Sequence, residues 1–320
     1  SGDGPQSGAT DEAGDPNPST APEGADDTPV TIIVALEDGS VGIPWYHRVF
    51  GLSSQTKHET VKDRIETAVE SSVPGSDVTY VLDYTKAFDG FAIQAPASSL
   101  ETIKATQGVK AAFIERHLKP LVVEGDTGVS GVDAVNPDLK NGSSLEMTRA
   151  NQTAVKGDKQ VIEVIDVGVD TPHEAFAGSL DAASARLTHQ AMASLTPSLG
   201  AGKDGAWVSD KIPFAYDYGD GDTDATTGNA SSRASEQGTH VASLATANGT
   251  SFTGAAPGAQ LVVAKVVSNG ASGARDSDLL AALDDAMVIK PDVVSVAFMA
   301  DRDLSGNASA LYEQVFERLA

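Results

Sequence analysis

Residues 236–243, which read EQGTHVAS, contain the most informative candidates for chemistry in this chain. A histidine can remove a proton from a nucleophile near neutral pH, because its unperturbed pKa lies near ~6.5. A glutamine amide has no comparable basicity, so Gln237 cannot act as a general base. His240 follows about one helical turn later as an alternative base. A packed core histidine is the more common role for such a residue and is the favoured interpretation.

Asp166 is a second candidate. Residues 161–166 read VIEVID, and this run predicts a strand that ends at the aspartate. Open α/β sheets place their functional groups at the carboxyl ends of their strands. An aspartate in this place can equally cap the turn that leaves the strand. Position alone leaves both interpretations open.

Two segments resemble motifs of the subtilisin-like serine proteases (subtilases). Residues 236–243 resemble the H-G-T-H-V-A-G motif, and residues 164–170 (VIDVGVD) resemble the V-I-D-[ST]-G-[IV]-D segment. The resemblance makes Asp166 the triad aspartate, which orients the catalytic histidine. It places Gln237 at the position of that histidine and His240 at the position of a packed supporting residue.

The resemblance assigns no nucleophile to this chain. The family's serine lies in a G-T-S-[MLV]-A motif that is expected beyond Ala320, as is the oxyanion asparagine. Residues 249–253 (GTSFT) look similar, but they precede residues 254–259 (GAAPGA), which match the family's G-V-A-P-x-A turn. Ser251 is therefore interpreted as a loop serine. With neither base nor nucleophile, the chain as given is expected to be truncated and inactive.

A substrate-binding stretch follows from the same resemblance. Ala297, Phe298 and Met299 match an S-[LF]-G stretch that pairs with the substrate backbone and walls the specificity pocket. A methionine in place of glycine is expected to put a long side chain where a peptide approaches closely. A one-residue shift of the alignment is the alternative.

The pattern of strands and helices predicts two folded regions. From Val30 onward the order β-α-β-β-α-β predicts a ferredoxin-like (α+β) unit, with its first helix from Thr60. Residues 84–92 and 100–109 resemble the subtilase propeptide, whose implied role is a folding aid and an inhibitor with its tail in the cleft.

The second region predicts an α/β fold, an incomplete doubly wound parallel-sheet subtilisin-like domain. Apolar strands are predicted at residues 161–166, 261–267 and 293–298, with a helix from Ser277, its expected N-cap, to Lys290. The sheet of the family needs further strands after Phe298, so an open apolar edge is expected. The predicted organisation is a disordered acidic leader (1–29), a propeptide-like domain (30–119), a linker (120–145) and a peptidase portion (146–320).

Composition excludes several function classes. The net charge of -23 argues against nucleic acid or anionic membranes as partners, and the absence of cysteine excludes disulfides and thiolate chemistry. No apolar run is long enough to span a membrane, and no signal peptide is recognised. The resemblance to secreted or cell-envelope subtilases of Gram-positive bacteria implies an extracellular location.

An acidic run is the remaining candidate site. Asp217, Asp220, Asp222 and Asp224 offer oxygen ligands for calcium, but the spacing fails the EF-hand pattern. A solvated loop is favoured, and no cofactor is predicted.

Three functions remain as hypotheses. The first is a serine endopeptidase zymogen, with a polypeptide substrate or its own propeptide in the cleft. The second is a degenerate subtilase with a binding or inhibitory role, and the third is an acidic interaction module that reuses the fold.

Overall fold

The computed structural model describes residues 28–37, 54–121, 149–227, 233–300 and 306–320. The predicted leader and linker lie almost entirely outside these ranges. The described residues form an N-terminal unit (residues 28–121) and a C-terminal unit (residues 149–320), which pack against each other.

The N-terminal unit has the element order predicted from the sequence. Its antiparallel sheet has the strand order β2-β3-β1-β4. The elements are β1 (Pro29–Leu36), α1 (Ser54–Ser72), β2 (Thr79–Tyr84), β3 (Gly90–Pro96), α2 (Leu100–Lys104) and β4 (Val109–Ile114). Alternate strand residues face the two helices, and the core between them contains Ile32, Val34, Val61, Ile65, Phe91, Ile93, Leu100 and Ile103.

Helix α1 is longer than the sequence pattern indicates, because it begins at Ser54 and not at Thr60. The additional turn contains Lys57 and His58, which are 6% and 3% exposed. Both side chains are buried through contacts with carboxylates of β2 and the turn that follows it. Apolar periodicity cannot detect a helical turn that is buried by ion pairs.

A parallel sheet forms the centre of the C-terminal unit, as predicted. Its strands are β6 (Val161–Asp166), β7 (Phe214–Asp217), β8 (Gln260–Lys265) and β10 (Val293–Val296), in the order β10-β6-β8-β7. Strand β8 is buried along its whole length, which explains its nearly continuous apolar sequence. This arrangement confirms the α/β fold class.

Helices cover both faces of this sheet. They are α3 (His189–Leu195), α4 (Arg233–Thr246), α5 (Asp276–Ile289) and α6 (Asn307–Leu319). Helix α4 packs with Val164 and Val263 on one face, whereas α5 lies on the other face in a cluster with Ile165 and Val262. Helix α6 packs against α5 and against β4 of the N-terminal unit. Within the described ranges, no helix has the length and apolar character required to cross a bilayer.

A second, smaller sheet joins the two units. Its strands are β5 (His117–Pro120), β9 (Ala274–Arg275) and β11 (Phe298–Ala300), in the antiparallel order β11-β5-β9. The strand predicted at residues 293–298 is therefore two strands. The chain leaves the parallel sheet after Val296, because the next residues pair with β5 of the N-terminal unit.

The start of α5 depends on the N-terminal unit, and the prediction of Ser277 as its N-cap is wrong. The helix begins at Asp276. The Ser277 N–H donates to Glu115 Oε1 at 3.1 Å, and the Asp276 N–H donates to the Arg116 carbonyl at 3.2 Å. The first N–H groups of a helix have no acceptor within it, and here a neighbouring unit supplies two.

Glu163 is an unusual residue in the central strand β6. Its side chain is fully buried, and neither carboxylate oxygen has a hydrogen-bond partner among the described residues. Burial, and secondarily the charge of Asp285, raise the pKa of Glu163 from 4.5 to about 8. The folded protein therefore holds this carboxyl in its protonated form near neutral pH.

We expect Glu163 to make the folded state less stable as the pH rises. Between pH 4.5 and about 8 the folded protein retains a proton that the unfolded chain releases, so the free energy of unfolding falls. Each unit by which the folded pKa exceeds the unfolded pKa lowers the free energy of unfolding by about 1.4 kcal/mol once the pH has passed both values. Urea unfolding of wild type and Glu163→Gln at several pH values measures the effect. The variant should have a flatter profile, and a slope equal to that of wild type would contradict the assignment. Glu317→Gln, at an exposed position, is the control.

Candidate functional site

Asp166 lies at the carboxyl end of β6, where the sequence placed it. It is 1% exposed, and its Oδ1 accepts a hydrogen bond from the Val167 N–H at 2.7 Å. The other oxygen, Oδ2, is buried and has no partner in the described part of the chain. Burial raises the pKa of Asp166 to about 6, although the Val167 N–H opposes the shift. Of its two sequence interpretations, the turn-capping contact is present.

Gln237 lies in α4, in the part of the helix that contacts β6 near Asp166. The next residue, Gly238, packs so closely on β6 that an added Cβ would lie 2.0 Å from the Gly168 carbonyl oxygen and 3.2 Å from Asp166 Cβ. A side chain at position 238 would therefore displace the helix. The Gln237 Oε1 is buried and, among the described residues, accepts no hydrogen bond. Two acceptors without donors thus lie at this end of the sheet.

The middle of α4 is also held by the loop that leaves β6. The Asp170 N–H donates to Thr239 Oγ1 at 2.9 Å, which ties the helix to the loop that leaves β6. Together with the glycine contact, this bond places residue 237 independently of its side chain. A carboxamide at this position cannot act as a general base.

His240 is exposed, so its interpretation as a packed core residue is wrong. It lines an open groove of about 760 Å³ together with His173 and Ser251, and neither Asp166 nor Gln237 lines that groove. His173 has a local role, because its Nδ1 accepts the Ala175 N–H at 3.1 Å. The described residues contain no cluster of three acidic or histidine side chains that could hold a metal ion.

A lysine side chain, that of Lys265, contacts two aspartates of the acidic run. Lys265 of β8 is 2% exposed and forms ion pairs with Asp217 and, at 3.8 Å, with Asp220. It also donates to Asn269 Oδ1 at 2.8 Å. An ammonium group therefore pairs with two of the four carboxylates considered for calcium. Asp222 and Asp224 instead accept hydrogen bonds within their own loop.

The predicted substrate-binding residues pair with a strand of the N-terminal unit. In the ladder between β11 and β5, Phe298 lies opposite Pro120 and Met299 opposite Lys119. Ala297 precedes β11, and its carbonyl accepts the Leu121 N–H at 2.8 Å. An extended segment of the chain thus lies antiparallel along this stretch.

The side chain of Met299 does not prevent this pairing. It is 55% exposed, because β-strand side chains project to either side of the hydrogen-bonded plane. The close approach occurs on the other side of β5, next to β9. A Cβ on Gly273 would lie 2.4 Å from the Leu118 carbonyl oxygen.

Arg116 fixes the start of β5 through an ion pair with Asp276. Its Nε and Nη2 donate to the two oxygens of Asp276 at 3.0 and 2.9 Å, and its backbone N–H donates to Oδ2 at 2.7 Å. The Tyr312 hydroxyl donates to Oδ1 at 2.8 Å. Asp276 is fully buried, so every contact is shielded from water.

A second carboxylate of α5 binds residues 84–88, which are the last residue of β2 and the first four residues of the turn after it. We term this segment the docking turn. Asp284 accepts the N–H groups of Thr85, Lys86 and Ala87 at 3.2, 2.7 and 2.7 Å. Burial raises the pKa of Asp284, and these three donors oppose the shift. Sequence reasoning missed Asp276 and Asp284; the signal was a series of aspartates in a helix otherwise suited to the core.

The comparisons with known proteins identify the family of this chain. The model of the Subtilase family matches residues 157–318. The PI-type proteinase of Lactococcus lactis subsp. cremoris is 27% identical over 256 residues, which cover 78% of this chain and 12% of the relative. The minor extracellular protease Vpr of Bacillus subtilis is 25% identical over 272 residues (83% and 29%). The C5a peptidase of Streptococcus pyogenes is 34% identical over 193 residues (55% and 14%).

This chain therefore spans only a small part of the length of these relatives. The family match covers half of the chain and includes Asp166, Gln237 and residues 297–299. The chain belongs to the subtilase family of serine peptidases.

Proposed function

We propose that this chain is a subtilase pro-form in which residues 28–121 occupy the peptide-binding cleft and the site containing Gln237 does not hydrolyse peptide bonds. The antiparallel pairing of β5 with β11 supports the proposal. In the family, the stretch that residues 297–299 match pairs with the substrate backbone, so β5 takes the place of a substrate. The substrate class of such a cleft is a polypeptide.

The contacts of α5 support the inhibitory role of the N-terminal unit. Asp276 binds Arg116, next to β5, and Asp284 binds the docking turn. Both carboxylates are buried with several donors, which gives the docked arrangement directional specificity. We propose that the chain divides as expected from sequence, into a leader (1–29), an inhibitor-like unit (30–119), a connection (120–145) and a peptidase unit (146–320).

Gln237 is the basis for proposing an inactive site. Asp166 and Gln237 take the positions of the triad aspartate and the general base, but a carboxamide does not accept the proton of a nucleophile. An active endopeptidase is the second candidate, favoured by relatives named proteinase, protease and peptidase. It would need another base, and His240 lines a groove that excludes Asp166.

We propose an extracellular location for the protein. One relative is named an extracellular protease, and the net charge of -23 favours solubility outside the cell. Analysis of culture medium and cell fractions with an antibody to this chain tests the location; confinement to the cytoplasm would exclude it.

The product of the complete reading frame that contains residues 1–320 should not cleave peptides. Removal of the base from a serine-protease triad lowers kcat by roughly a millionfold. Release of fluorescent fragments from labelled casein measures the activity. Gln237→His should raise the rate, because it supplies a base at the position where the family resemblance expects one.

Two further variants make this test decisive. Gln237→Asn keeps an amide and should remain inactive. Cleavage by the wild type that is abolished by Asp166→Asn would refute the proposal, since the site would then function with glutamine.

The docked arrangement should depend on Arg116. Arg116→Gln leaves the fully buried Asp276 without its cation, and breaking such a pair costs about 3–5 kcal/mol. Urea unfolding of the full chain measures the loss, and amide exchange of β5 should accelerate. Lys110→Gln, which removes an exposed contact with Gln314, should change stability by only ~0.5 kcal/mol. Equal effects of the two substitutions would argue against docking through Asp276.

A further inference from the structure

His58 of α1 is placed between two carboxylates. Its Nδ1 lies 2.9 Å from Asp83 Oδ1, and its Nε2 lies 2.6 Å from Asp89 Oδ1. A neutral imidazole has one N–H and one acceptor nitrogen, whereas an imidazolium donates from both. Since both neighbours are acceptors, the geometry fits the protonated ring. The side chain is 3% exposed, so water does not readily replace either contact.

The charged groups around His58 come from three elements. From α1 itself, Lys57 pairs with Asp89, and Lys62 pairs with Asp83 at 2.9 Å. From β2 and the turn after it come the two aspartates. Among the described residues, β3 contributes only the uncharged ring of Phe91, with its centroid 5.7 Å away, and the end of β1 contributes the carbonyl of Glu37, bound by Lys57.

These charges favour the protonated ring. Burial lowers the pKa of His58, but the hydrogen bonds and charges of Asp83 and Asp89 together outweigh it and raise the pKa above 6.5. A group of this kind stabilises the folded state fully below its unfolded pKa. That stabilisation is lost as the pH rises through the folded pKa.

The two aspartates flank the docking turn. Asp83 immediately precedes residues 84–88, and Asp89 immediately follows them. The same turn donates three N–H groups to Asp284, and its Ala87 carbonyl accepts Arg318 Nη1 at 3.2 Å. One histidine thus holds both ends of the segment that contacts α5 and α6.

We propose that protonated His58 stabilises the docking turn, so that the N-terminal unit binds the cleft less tightly as the pH rises. This inference rests on the proposed function, because it describes how occupancy of the cleft is regulated. Loss of one proton removes a donor from one carboxylate and leaves the two ends of the turn less constrained.

Amide hydrogen exchange of the full chain, between about pH 5.5 and 8.5, spans the titration of a histidine. After correction for intrinsic exchange, protection of the docking turn and of β5 should fall with rising pH. The total fall should be roughly tenfold for each unit by which the folded pKa exceeds the unfolded one. NMR titration of the ring should show the raised pKa directly, and Asp83→Asn and Asp89→Asn should each lower it.

The exchange series is measured in a Glu163→Gln background, which removes the pH dependence expected of that residue. In this background His58→Gln should give weak protection of the docking turn with little pH dependence. The matched control His189→Gln, at an exposed histidine that contacts Trp207, should behave like wild type. If His58→Gln does not fold, the wild-type exchange and NMR profiles still decide. Protection that is independent of pH in wild type, or an unchanged profile in a folded His58→Gln, overturns the inference alone. Free exchange of both β5 and β11 at every pH would overturn the proposed function.

Discussion

The buried carboxylate of Asp276 is the contact on which the arrangement of the two units depends. It accepts hydrogen bonds from the backbone and guanidinium of Arg116 and from the Tyr312 hydroxyl. A carboxylate removed from water needs such a set of donors, since burial without them is very costly. Because Arg116 immediately precedes β5, the ion pair also determines where this strand begins its pairing with β9 and β11.

Helix α5 combines two functions that usually belong to different helices. Its apolar residues pack on the parallel sheet as a core helix does. Its buried aspartates face the N-terminal unit or loops of its own unit, and Asp285 accepts the N–H groups of Gly200 and Gly202. The N-terminal unit in return supplies acceptors to the first turn of the helix, so each unit satisfies polar groups that the other leaves exposed.

At the candidate site, the fold and the chemistry are separable. The close contact of Gly238 with β6 and the following loop and the bond from Asp170 to Thr239 place the middle of α4 through groups other than the residue 237 side chain. Gln237 therefore changes the chemistry without requiring a change of backbone. This separation is the reason that membership of a peptidase family does not by itself establish peptide hydrolysis.

The sequence by itself determined the strand that ends at Asp166, the parallel sheet, the element order of the N-terminal unit and the family, because apolar periodicity and short motifs are local properties. It also fixed that residue 237 is a glutamine. Only the tertiary structure decided that His240 is exposed, that Met299 leaves β11 free to pair, and that α1 begins one turn early. The contacts responsible join residues far apart in the chain, such as Arg116 and Asp276, 160 positions apart. Polar pairs and strand partners at that separation produce no periodic pattern in the sequence. Each residue of such a pair has the sequence character of an ordinary surface residue, and only the fold brings the two into contact.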